Sequence, residues 1–356
     1  MTKLDILYSK WYFRLSSAKR MDMYRKLSSM LRNDFTLMDA LDRIWQVESR
    51  NGQKPNEPFA IALRAIQANL ERGLSFPDSM RGWAPANETL MLSVGDISKL
   101  SIALDNVVRV GEGTARITSA MRDAATYPLF LLTLTFIIVI AVGVYLVPPL
   151  TEAAGGDMAW RGVAAQLVWV SGMSNQYWPV VVFVALFSFF MVWYSFANWA
   201  GRTRYIFDRM PPWSMYKISI SVGWMMTLAA MVASGSSIPV AMKALSDNAN
   251  PYLRRILEQT NRFITNGDNL GRALVNTNSN FPNDEITGDL AIYADMTGFD
   301  QNLSKIANDY LDDSVRRMER ASALMNGAGI ILVSAIIAWV VFGTFEMQDQ
   351  ITLALS

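Results

Sequence analysis

Cysteine and histidine are both absent from this 356-residue chain. Without thiols there are no disulfides, no zinc site of Cys/His type and no thiolate nucleophile. Without imidazole there is no His-based acid–base step and no Ser–His–Asp triad. Zero cysteines suits either side of a membrane, so the compartment is not read from them. Charge is scarce as well, at 18% of residues. The 32 basic and 31 acidic side chains leave a formal net charge of +1, which gives no case for nucleic-acid binding. No GxxxxGK[ST] motif occurs, so there is no P-loop. The stretch VGEGTAR, Val110 to Arg116, has two glycines but no strand before it, and reads as a helix irregularity. No cleavable signal is expected. Lys3, Lys10, Arg14, Lys19, Arg20, Arg25 and Lys26 are mixed with aromatics, and no apolar run follows them.

Apolar residues are plentiful. They make up 51% of the chain, and the mean hydropathy is +0.18. From Leu129 to Val147 there is no charge, and about 19 residues at 1.5 Å each give roughly 28 Å, close to the hydrocarbon core of a bilayer. Tyr127 and Tyr145 lie near its ends, Arg116 and Arg122 on the entry side, and Pro148-Pro149 are expected to stop the helix. Two further spans are expected, at Trp178–Trp199 and Ala328–Phe345. None of the three holds a charge, which argues against a proton relay or an ion-coupled transporter. Ile218 to Ala233 is apolar too, but it is short and carries Ser219, Ser221, Gly223 and Thr227; it reads as a buried helix.

Lys and Arg flank one side of these spans: Arg202, Arg204 and Arg209 after the second, and Arg316, Arg317 and Arg320 before the third. The tail with Glu346 and Asp349 has neither. The positive-inside rule therefore places the N-terminus in the cytoplasm and the C-terminus outside. The expected domains are a basic amphipathic segment (1–23), a cytoplasmic helical domain (24–126), a first span (127–149) and an outer loop (150–177). A second span (178–199), a second cytoplasmic domain (200–326), a third span (327–346) and an outer tail (347–356) follow.

In the first segment Leu4, Leu7, Tyr8, Trp11 and Leu15 recur at helical spacing. Such a helix either lies on an anionic leaflet or is an ordinary surface or docking arm. Met158 to Met173 reads as a short interfacial helix. No stretch alternates with a strand period for long, so the fold class is all-α. Lys19, Arg20, Arg25 and Lys26 read either as a docking patch for an acidic partner or as determinants of topology and lipid contact.

The two cytoplasmic regions repeat at an offset of about 200 residues. Leu27, Met30-Leu31 and Ala40-Leu41 align with Leu228, Met231-Val232 and Ala241-Met242. Gly73 and Ser79-Met80 align with Gly267 and Ala273-Leu274, and Pro85 and Glu88 with Pro282 and Glu285. Asp96-x-Ser98 aligns with Asp295-x-Thr297, and Arg116 with Arg316. The Asp-x-Ser/Thr turns read as helix caps, without the second carboxylate that a catalytic role needs. Gly327, Ser334 and Ala338 fall near one face of the third span and permit close helix packing, within the chain or with another helix.

Met30-Leu31, Gly73, Ser79-Met80, Gly95-Asp96-x-Ser98-Lys99-Leu100 and Tyr127-Pro128 in the first copy carry a resemblance, as do Gly267, Leu270, Ala273-Leu274, Phe281-Pro282 and Ala294-Asp295-x-Thr297-Gly298 in the second. The chain resembles the F-domain family of inner-membrane platform proteins of type II secretion systems and type IV pilus machines. Asp for Glu in both turns, Lys99 for Gly, and Asp34 after the Met-Leu helix mark a divergent branch, of the type IVB thin-pilus kind. The resemblance implies two six-helix cytoplasmic bundles, three spans, no enzyme activity and no cofactor, and leaves a divalent metal between the bundles open. It implies as partners a hexameric cytoplasmic assembly ATPase, a pilin or pseudopilin membrane helix and other inner-membrane assembly proteins, with the chain itself a homo-oligomer. The alternative is a permease-like membrane subunit of an ATP-driven exporter, for which three apolar spans offer little substrate pathway.

Overall fold

The computed structural model describes residues 3–93, 99–155, 158–201, 203–294, 296 and 298–355. Among them there is no β-strand, only an isolated bridge between Arg81 and Ala84, and the protein is all-α. The helices run α1 Lys3–Leu15, α2 Ser17–Arg32, α3 Leu37–Glu48, α4 Pro58–Glu71, α5 Phe76–Met80, α6 Ala86–Leu92 and α7 Leu100–Ala141. A π-helical turn Val142–Leu146, α8 Val147–Ala153 and α9 Gly162–Asn198 follow. Then come α10 Arg204–Phe207, α11 Trp213–Ala233, α12 Ile238–Asp247, α13 Pro251–Thr265, α14 Leu270–Asn276, α15 Asp284–Tyr293 and α16 Phe299–Leu355. The series α1–α7 returns in order as α10–α16, so the duplication seen in sequence is a duplication of helices.

The chain forms two compact units. Met1–Thr118 and Ala197–Val315 make the first, and Ser119–Phe196 and Arg316–Ser356 the second. Local chemistry fixes the helix ends of the first unit in matching ways. Ser75 caps α5 by accepting the Asp78 amide at 3.3 Å, and Asn269 caps α14 by accepting that of Arg272 at 2.9 Å. Pro58-Phe59 and Pro251-Tyr252 open α4 and α13, where a missing N–H costs nothing. After α4 and α13 the chain turns through Gly73 (φ 88°) and Gly267 (φ 103°). After α2 and α11 the same turn uses Asp34 (φ 61°) and Gly235 (φ 100°). The Asp34 amide reaches Leu31 O and the Phe35 amide Met30 O, as Gly235 and Ser236 reach Val232 O and Met231 O. Aspartate tolerates the left-handed region better than most side chains, which explains how it stands in a glycine position.

By length and composition three helices can cross a membrane: Leu100–Ala153, Trp213–Ala233 and Gln301–Ala354. The second of these, α11, is buried inside the first unit over Ser221, Val222 and Trp224 to Met231. A helix apolar on every side is what a bundle core requires. The shorter apolar helix Val182–Asn198 is the opposite case. Every residue from Phe183 to Phe190 is exposed, so the helix is open on every side, and Phe183, Leu186, Phe190 and Trp193 along one face are each at least 60% exposed.

Two expectations are corrected in the second unit. Pro148-Pro149 do not end the first apolar helix. The π-helical turn at Val142–Leu146 precedes them, so both prolines fall in the first turn of α8, where their missing N–H groups are not needed. The helix expected at Met158–Met173 starts at Gly162 and runs on into the next apolar stretch as α9. It kinks at Tyr177 (φ −120°, ψ 15°), two residues before Pro179, whose ring excludes a regular helical hydrogen bond.

Candidate functional site

Among the described residues, no three His, Cys, Asp or Glu side chains gather as a cation site. Of the residues singled out in sequence, Gly95, Asp96, Ser98, Asp295 and Thr297 lie outside the described residues. Gly298 takes a left-handed conformation (φ 77°), and its carbonyl accepts the Gln301 and Asn302 amides at the start of α16. The chain instead concentrates its interactions at three places: a buried ion network, a glycine-lined contact between the copies, and a helix junction in the second unit.

The ion network is in the first copy. Arg20 is 2% exposed, and its Nε and Nη2 donate to the Glu88 carboxylate at 2.9 and 2.8 Å. Its Nη1 donates to the Phe13 and Arg14 carbonyls at 2.5 and 2.7 Å, closing the C-terminal end of α1. Tyr24 donates to Glu88 at 2.9 Å. Burial, with the Glu88 carboxylate beside it, holds the Tyr24 phenol well above its ordinary pKa. The network ties α1, α2 and α6 together. The basic stretch read from sequence is therefore not a free cationic patch: Lys19 pairs with Glu48, Arg20 with Glu88, Arg25 with Glu112, and Lys26 with Asp22.

The network is not duplicated. The register that pairs Leu27 with Leu228 pairs Arg20 with Ser221, whose hydroxyl meets that of Tyr310 at 2.7 Å. The second copy buries a different pair, Arg204 and Asp208, with Nε 2.9 Å from Oδ1. The Arg204 side chain is fully buried with its partner. Charge holds it, with the rings of Tyr252, Tyr216 and Trp199 at 5.0, 5.9 and 6.0 Å. Tyr252 donates to Asp208 at 2.8 Å, and burial pushes the Asp208 carboxyl up from its usual range.

The stretch VGEGTAR lies within α7 and is a contact between helices. A Cβ on Gly111 would meet the end of the Met21 side chain, and one on Gly113 would meet the ends of Met226 and Leu311. Gly113 thus brings α7 against two helices of the second copy. Arg116 pairs with Asp312 at 2.6 Å and Asn106 donates to Ser234 at 3.2 Å, so polar groups fix the same contact.

In the second unit, Glu346 of α16 caps α9. Its Oε2 accepts the amides of Val163 at 2.7 Å and Ala164 at 3.1 Å, where an unpaired helix start favours negative charge. Gln350 exchanges two hydrogen bonds with the Arg161 backbone. Trp339 donates to Gln166 at 2.9 Å, and Ser171 to the Gly143 carbonyl at 2.5 Å. Below the cap, Val147, Ala164, Leu167 and Met347 form a fully buried cluster. Replacing Glu346 with alanine will cost about 1–2 kcal/mol. The check is faster trypsin cleavage after Arg161 in detergent, with Glu346→Gln in between because its amide oxygen still accepts.

Gly327, Ser334 and Ala338 are exposed, and a Cβ on Gly327 would meet nothing. The face of α16 that packs within the chain runs through Gly329, Val333, Ile336, Val340, Gly343 and Met347, alternating steps of four and three. A Cβ on Gly329 would stand 2.8 Å from Leu131 of α7, and one on Gly343 would overlap Leu167 of α9. Packing within the chain therefore uses the neighbouring glycines, and the predicted small-residue face is left open. The four- and three-residue spacing was present in the sequence as a signal for the packed face. The Glu346 cap had no such signal, since its partners are amides 183 and 182 residues away.

The family model for type II secretion system protein F matches residues 23–148 and 224–345, more than two thirds of the chain and both copies. The chain is 22% identical to the toxin coregulated pilus biosynthesis protein E of Vibrio cholerae over 96% of its own length and 99% of that protein's. It is 20% identical to the protein transport protein HofC homolog of Escherichia coli, over 92% of this chain and 82% of that one. It is 22% identical to the type IV pilus assembly protein PilC of Thermus thermophilus, over 93% and 82%. Two matched copies, each coinciding with one run of the duplicated helices, place this chain in the type II secretion system protein F family.

Proposed function

We propose that this protein is the inner-membrane platform of a type IV pilus or type II secretion machine, passing the motion of a cytoplasmic assembly ATPase to a pilin or pseudopilin in the bilayer. The observation that carries the reading is the duplication. Each bundle of the first unit ends in a helix, α7 or α16, that continues into an apolar stretch of the second unit. The relatives named for pilus biosynthesis and assembly match 96% and 93% of this chain.

In this reading the three spans are the apolar parts of α7, α9 and α16, and α11 is bundle core. The bundles face the cytoplasm, where Arg316, Arg317 and Arg320 precede the last span, and the Glu346 cap lies outside. The exposed rings of Phe183, Phe187, Phe190 and Tyr194 and the open Gly327–Ser334–Ala338 face are then surfaces for lipid or a further membrane helix. Chemistry on substrate has no part in the proposal: the protein acts by binding and moving, as one of several copies beside the ATPase and other assembly proteins. Deleting the gene tests it. Fibres or secreted substrate should vanish while the pilin still accumulates in the membrane; normal fibre output would end the proposal.

A further inference from the structure

α1 has two apolar faces, and the first unit uses only the smaller. Phe13 is fully buried, with its ring 4.7 Å from that of Phe59 and edge-on to Trp83 at 6.3 Å, and Ser9 is buried beside it. The wider face, Leu4, Leu7, Tyr8, Trp11 and Leu15, points away from the bundle, each residue between 54% and 76% exposed. These five positions recur at three- and four-residue steps and cover about 100° of the helix surface. Lys10 and Arg14 lie along one edge of that face. The C-terminal end of α1 is anchored from below, because Arg20 holds the Phe13 and Arg14 carbonyls. The helix is therefore fixed in place with its large apolar face outward.

We infer that α1 is an interfacial helix, seated in the headgroup layer of an anionic cytoplasmic leaflet. The composition of the outward face argues for lipid. Tyrosine and tryptophan favour the headgroup level, leucines enter the acyl boundary, and the basic flank meets anionic headgroups. The inference rests on the platform reading only in taking the chain to be membrane-embedded. That embedding makes partition of a five-residue face effective, since a tethered segment sees the surface at high effective concentration. The docked α1 would then hold the first bundle to the bilayer by a contact separate from the spans.

The absence of cysteine makes the test direct. Full-length Leu7→Cys, Ala18→Cys and Leu186→Cys proteins are spin-labelled and placed in nanodiscs of phosphatidylglycerol and phosphatidylcholine, or of phosphatidylcholine alone. Relaxation by oxygen is compared with relaxation by a water-soluble nickel chelate. Leu7 is exposed, so the substitution leaves the fold alone. The expected result is a Leu7 label several-fold more accessible to oxygen than to nickel in the anionic discs, reverting towards the nickel-accessible Ala18 control without phosphatidylglycerol. Leu186, in the exposed apolar part of α9, should be oxygen-accessible in both and reports separately on membrane embedding. A nickel-accessible Leu7 in anionic discs overturns the inference while Leu186 keeps the platform reading intact. Equal accessibility in the two lipids, protection from both reagents, or spin–spin broadening between copies overturns it as well, the last two by showing a protein on that face.

Discussion

Gly271→Ala will destabilise the second bundle by about 3 kcal/mol or more, a melting-temperature drop of roughly 6–12 °C in detergent for a unit of this size. A methyl carbon at Gly271 of α14 would land on the backbone of Leu290 and Ala291 in α15. Backbone cannot turn aside as a side chain does, so the two helices must separate, and the burial of Leu270, Ala273, Leu274 and Leu290 is loosened with them. Gly111→Ala is the control. Its methyl would meet only the flexible end of Met21, and alanine favours the helix by about 1 kcal/mol. That variant should melt within about 2 °C of the parent. Limited proteolysis adds the location, since Gly271→Ala should open sites between α13 and α15 first. Equal melting temperatures for the two variants would contradict the packing described for α14.

Glu88→Ala carries the second large effect. It removes the carboxylate from Arg20 and Tyr24 and leaves a guanidinium 2% exposed with half of its partners gone. Breaking one side of a buried ion pair costs about 3–5 kcal/mol, so the first bundle should melt roughly 6–20 °C lower. Because Arg20 also holds the Phe13 and Arg14 carbonyls, α1 should loosen together with the pair. Cleavage between α1 and α2 would report it. The double variant Arg20→Met/Glu88→Leu should recover part of the loss, because an apolar pair needs no compensation for desolvation, while the Phe13 and Arg14 carbonyls still lose their donor. The second copy supplies a precedent for the arginine alone, with neutral Ser221, hydrogen-bonded to buried Tyr310, where Arg20 stands. If the double variant is no better than Glu88→Ala, the network does more than satisfy its own charges.

The sequence carried the architecture because the architecture rests on periodicity. Charge-free runs, helix caps such as Ser75 and left-handed glycines at 73 and 267 are local signals, and the structure places helices and turns accordingly. The burial of α11 was legible as well, since Ser219, Ser221, Gly223 and Thr227 interrupt an otherwise apolar run. What was not legible depends on partners distant in the chain. Arg20 looked like one more member of a basic stretch, and only a glutamate 68 residues away makes it part of the core. Gly327 and Gly329 are two residues apart, about 200° around the helix, and composition alone does not say which meets a neighbour. The sequence of α1 showed an amphipathic helix but not that Phe13 anchors it and turns the larger apolar face outward.

In the proposed role this chain joins a cytoplasmic ATPase to a pilin helix. Co-purification of the detergent-solubilised protein from its own cells tests it most directly, with the partners identified by mass spectrometry. The expected result is that a secretion-type assembly ATPase and a pilin or pseudopilin are recovered together with it. Recovery of a transporter ATPase, with neither of those two present, would contradict it.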